Sequence, residues 1–101
     1  MERKITVNEK EYIITDIEAG VYEEFCEVKE KVNPDGEYSA ADIKNMREAI
    51  AIAYGNKFAA EDLKKMPVSD VMVEFVCLDA WVAKEFERKF EEAQKLFLNG
   101  K

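Results

Sequence analysis

Few residues of this chain have types that could do chemistry. They are the thiols Cys26 and Cys77, the loop Asn33-Pro34-Asp35-Gly36-Glu37 with its side-chain oxygens, and Asp79, a carboxylate set within an apolar stripe. The 101 residues include no histidine, which removes the commonest general base, the Ser/His and Cys/His pairs and the His-containing metal sites. Each cysteine sits in an apolar helical setting without a helix start or a pair of cations beside it. Two buried free thiols are therefore expected, and their spacing does not suggest a disulfide. The loop has too few oxygens, in the wrong order, for an EF-hand and reads as an ordinary turn. Four glycines, at 20, 36, 55 and 100, make neither a Walker loop nor a GxGxxG turn. No catalytic, metal or cofactor site is expected, and the chain is not expected to be an enzyme.

What remains is surface for binding, and the residues that could supply it lie on one helix. Residues 69–99 read as uninterrupted, with Ser69 as N-cap after Pro67, helical residues at about 70–98, and Asn99-Gly100 as the stop. Some thirty residues give roughly 45 Å of helix, more than a domain with a radius of gyration of about 13 Å can cover. Residues 71–83 are apolar almost all round, which predicts burial on every side. Beyond them Phe86, Phe90, Ala93 and Phe97, spaced four, three and four, form a narrow seam among charges, the width one neighbouring helix would cover. The seam packs either into the molecule's own core or against a partner. Glu85 with Lys89 and Glu91 with Lys95 are oriented as i,i+4 pairs. Asp79 falls within the stripe of Phe75, Phe86 and Phe97 and needs a cation or water; Arg47 is the candidate partner. Trp81 falls on the face of Glu74, Glu85, Arg88 and Glu92, where it is either covered by another element or a binding anchor. Trp81, Phe86, Phe90 and Phe97 are the candidate partner-binding residues.

The elements that position this helix follow from pattern. Residues 4–7 and 11–15 alternate as strands, and a loop of even length would put Ile5, Val7, Tyr12 and Ile14 on one face of a hairpin spanning 4–15. Thr15-Asp16-Ile17-Glu18 matches a capping box, opening a helix over about 16–32 with Ile17, Val21, Phe25, Val28 and Val32 on one face; Gly20 weakens its first turn. Ser39-Ala40-Ala41-Asp42 caps a second helix over about 40–54, which turns Ile43, Met46, Ile50, Ala53 and Tyr54 inward and stops at Gly55. A short helix at 60–66 ends at Pro67. The fold class expected is α+β, mostly α: a two-stranded N-terminal hairpin packed with these helices in a single domain over 1–101. Acidic residues outnumber basic ones 22 to 15, a net charge of −7, which argues against nucleic acid or an anionic membrane as partner. No signal-peptide core or long apolar run is present, so a cytoplasmic location is expected.

In this order the short hairpin, Lys4-Ile5-Thr6-Val7-Asn8-Glu9-Lys10-Glu11-Tyr12, is followed by an acidic helix and then by Ile50-Ala51-Ile52-Ala53-Tyr54-Gly55-Asn56-Lys57-Phe58. That stretch runs into Ala59-Ala60-Glu61-Asp62-Leu63 and a long charged terminal helix. Over nearly its whole length the chain resembles the small tail assembly chaperones of long-tailed phages and prophages of Gram-positive bacteria. It departs from them at Ala59, where the family has a capping threonine ahead of the E-D-L turn. The resemblance implies no catalytic residues. It implies a chaperone that binds the tape measure protein, a long helical and aggregation-prone chain, and keeps it soluble while tail tube subunits polymerise around it. A longer frameshifted version commonly recruits the tube protein. Self-association into a homo-oligomer would let several weak sites act together along the client. The competing expectation is a small acidic host-type adaptor or regulatory protein that dimerises through the same long helix.

Overall fold

The structure, a computed structural model, describes residues 2–99. Arg3–Val7 (β1) and Lys10–Ile14 (β2) pair antiparallel, with Ile5 opposite Tyr12 and Val7 opposite Lys10. The two turn residues, Asn8 and Glu9, take φ of 51° and 67°. This is the primed geometry whose twist suits the strands, reached here without a glycine. The even loop puts Ile5, Val7 and Ile14 on the buried face, and Tyr12, half-buried, leans on Phe58 with ring centroids 4.9 Å apart.

The first helix, Ala19–Lys29 (α1), is shorter than its sequence pattern suggests. The capping box expected at Thr15 does not form; Glu18 is the N-cap and makes no side-chain bond. Asp16 is committed elsewhere, accepting the N–H of Ile17 at 2.8 Å and pairing with Lys89 from the far end of the chain. At the other end Lys31 and Val32 donate to Val28 and Lys29, so the last turn tightens rather than continuing as α-helix to 32.

Ala40–Ala53 (α2) is the helix around which the others pack. Its capping box is complete: Ser39 Oγ accepts from the Asp42 N–H at 3.2 Å, and Asp42 Oδ2 accepts from the Ser39 N–H at 2.8 Å. It closes in a Schellman motif, with Gly55 at φ 72° and the Gly55 and Asn56 N–H groups donating to Ile52 and Ala51. Met46, Ala49, Ile50 and Tyr54 are fully buried, while Ile43 sits at the core's edge. The short helix expected at 60–66 is a single 3-10 turn, Ala60–Leu63. Asp62 accepts the Ala59 N–H at 2.8 Å, but Ala59 has no side-chain oxygen with which to return the bond. Arg47 donates to the Ala60 carbonyl at 3.1 Å and holds this turn against α2, with Leu63 fully buried.

The last helix, Val68–Asn99 (α3), runs for 32 residues, about 48 Å at the standard rise. It starts one residue ahead of the expected cap: Val71 donates to the Pro67 carbonyl, so Ser69 lies inside the first turn. Of the expected Asn99-Gly100 stop, Gly100 lies outside the described residues. Val71, Phe75, Leu78 and Val82 join the core, but Val73 and Val76 are 61% and 55% exposed. Burial on every side over 71–83 is thus corrected to burial on one: the remaining elements form a single layer against α3, and none covers its outer face. Cys77 lies on that outer face and Cys26 is half-buried, both as free thiols, so the expected pair of buried thiols is not what folds. The radius of gyration is 15.0 Å and the longest extent 52 Å. The compact value for this length is about 13 Å, and α3 accounts for the excess.

Candidate partner-binding strip

Past Glu85, itself only 2% exposed, the body of the protein begins to fall away from α3, and residues 91–98 are exposed on every side. Phe86, Phe90 and Phe97 are 55%, 56% and 66% exposed. The expected seam is therefore not enclosed in the core. Phe86 is flanked by Tyr22 of α1, stacked at 5.4 Å and 15°, and by Phe90, stacked at 6.4 Å and 9°. Between the start of α1 and α3 these rings and Ile17 line a groove of about 490 Å³. A second hollow, bounded by Phe90, Ala93, Phe97 and Leu98, continues from the first through the shared Phe90. Together they make one apolar strip along the exposed half of the helix.

The charges beside the strip are largely matched within the chain. Lys89 and the N–H of Ile17 hold the Asp16 carboxyl below the usual carboxylate range. Arg88 donates to Glu85 at 2.8 Å and to Glu92 at 2.9 Å, and its guanidinium keeps the Glu85 carboxyl low. The expected Glu85 and Lys89 pairing is thus replaced: Arg88 takes Glu85, and Lys89 crosses to Asp16. With its charges matched in this way, the rim presents mainly rings to whatever approaches.

Trp81 does not belong to this surface. It is 6% exposed and part of the core. Glu74 on the same face is gripped by Arg3 of β1 through two bonds, at 3.0 and 3.1 Å, so the hairpin side of the molecule covers a face that looked charged and open. Burial raises the pKa of Glu74 against the pull of Arg3. The Tyr54 hydroxyl, buried near this pair, has no hydrogen-bond partner among the described residues, and burial raises its pKa as well. Asp79 meets Lys29 of α1 at 2.9 Å rather than Arg47, whose guanidinium is occupied at Ala60. Ile17 and Tyr22 belong to the groove, although the sequence marks one as core and passes over the other. The readable signal for Tyr22 is a large aromatic ring at the edge of the apolar face of its helix, about 60° from Phe25.

Among the described residues no group of three or more His, Cys, Asp or Glu could hold a metal ion, and no helix is long and apolar enough to cross a membrane. The strip holds no nucleophile with a base beside it; its rings are suited to receiving an apolar helix face. Comparison with models of protein families, with curated proteins and with solved structures finds no match to this chain.

Proposed function

We propose that this chain is a phage or prophage tail assembly chaperone, working in the bacterial cytoplasm, whose α3 strip receives amphipathic helical segments of the tape measure protein. The tail tube protein is then an indirect partner, met as it polymerises around the client. The observation that carries the reading is the exposure of Phe86, Phe90 and Phe97 on a helix that outruns its own fold. A stripe at helical spacing takes a partner helix by its i, i+3, i+4 anchors. A protein with a surplus of seven negative charges stays soluble while doing so. The order of elements resembles that of the chaperone family, and this resemblance is what points to the client.

The test is co-expression with the tape measure protein, whose gene this reading places directly downstream. The unaltered chain should keep that protein in the soluble fraction. The double substitution Phe90→Ser with Phe97→Ser, at two exposed positions, should lower the soluble amount at least about fivefold, equivalent to roughly 1 kcal/mol of binding, with the chaperone's own helicity unchanged. Equal solubility with the parent chain and the double variant, or a flanking sequence without a long tape-measure gene, would overturn it.

A further inference from the structure

The spacing of the seam Phe86, Phe90, Ala93, Phe97 is the same from either end, in steps of four, three and four, with two outer rings enclosing an inner ring and an inner alanine. We infer that, with no client present, this strip is occupied by a second copy of the chain, the two α3 ends lying antiparallel about a two-fold axis between Glu91 and Glu92. This goes beyond the chaperone reading, because it concerns the strip alone and holds whatever the client.

Antiparallel pairing sets Phe86 against Phe97 of the second copy and Phe90 against its Ala93, so that the seam's one small residue receives a large one. Parallel pairing would stack Phe90 on Phe90 and face Ala93 with Ala93, crowding one layer and leaving the next empty. The antiparallel register also brings Phe97 of the second copy to the groove lined by Ile17, Tyr22, Phe86 and Phe90, a hollow that a phenyl ring suits. Beside the seam it sets Lys89 near Leu96 and Glu87 near Gln94, with no like charges opposed; Glu91 and Glu92 at the axis point outward.

The area fits a weak pair. Rings that each bury on the order of 200 Å² when fully covered, here exposed by half to two thirds, yield on the order of 1,000 Å² in total with their flanking residues. That is the low end for specific interfaces, the range of weak and transient pairs, and a dissociation constant on the order of 100 µM is the strength expected of this one. A pair of that strength shields the rings and still gives way to a tighter client.

Sedimentation equilibrium of this chain alone tests it. The apparent mass should climb from one chain toward two as concentration passes on the order of 100 µM. Phe90→Lys and Ala93→Glu, each alone, should weaken association at least about tenfold. An equimolar mixture of the two variants should regain it, since only antiparallel pairing sets the lysine introduced at 90 against the glutamate introduced at 93. A monomeric parent chain, single variants that pair as well as the parent, or a mixture without recovery would each overturn the inference. Both substitutions fall at exposed positions, and circular dichroism confirms that the fold being compared is intact.

Discussion

Asp42 shows how much one short side chain can organise. Its carboxylate accepts the N–H of Ser39 at 2.8 Å, the N–H of Asn33 at 3.0 Å and the Ser39 hydroxyl at 3.1 Å, fixing both the start of α2 and the loop that enters it. The backbone donors of Ser39 and Asn33 hold its pKa below the ordinary value of 3.8. A depressed carboxylate contributes stability above its unfolded pKa and loses it as pH falls through the folded one. Glu74 runs the other way: burial raises its folded pKa, so its contribution is full below the unfolded value and declines as pH rises through the folded one. Comparing the parent with Asp42→Asn in urea isolates the first effect. The gap between their midpoints should be widest near about pH 6 and narrow below about pH 4; a gap that does not change with pH would contradict the assignment. This cap could be read from Ser39 and Asp42 because its partners lie three residues apart. The box at Thr15 matched a similar pattern and failed, because Asp16 is taken by a lysine 73 positions away. Asp79 was misassigned for the same reason: a carboxylate in an apolar stripe shows that it needs a cation but not which one, and Lys29 on α1 is closer than Arg47 in space only.

Elements were legible where their signals are local and less so where burial depends on how many neighbours arrive. Alternation at Ile5, Val7, Tyr12 and Ile14 specified the hairpin face, and Pro67 and Gly55 marked boundaries that the backbone respects. The hairpin turn remains a point of strain, since Glu9 holds φ 67° with a β-carbon. The left-handed region costs a non-glycine residue about 1 kcal/mol or more, and Asn-Gly is the preferred pair for this turn. Glu9→Gly should therefore raise the unfolding free energy by about 1 kcal/mol in a denaturant titration. No gain, or a loss, would mean that the turn is not held in the primed geometry. Composition could not show that 71–83 would be covered on one side only: Val73 and Val76 are as apolar as Val71, but no element is left to lie on them. Of the two readings open for Trp81, covered or anchor, the covered one is what folds; the covering side could not be read, because the Arg3 that reaches Glu74 comes from 71 residues earlier in the chain.

At the scale of the whole molecule, a small core carries a helix longer than it can cover. Phe25, Met46, Ile50, Leu63, Val71 and Leu78 close the packed half, and the free half extends a ring-lined strip to give a longest dimension of 52 Å. The excess length could be read from residue counting alone, and the exposure of Phe86, Phe90 and Phe97 follows from it. The shape of the groove did not, since its other wall is α1. Helix ends without tertiary packing open readily, so backbone amides beyond about residue 90 should exchange fast in the isolated chain and slow when the strip is filled. Hydrogen exchange with and without a soluble tape-measure segment therefore tests the central claim most directly. The account predicts at least about tenfold slowing over residues 91–98, with the hairpin and α2 unchanged; protection confined to the hairpin, or none along α3, would contradict it.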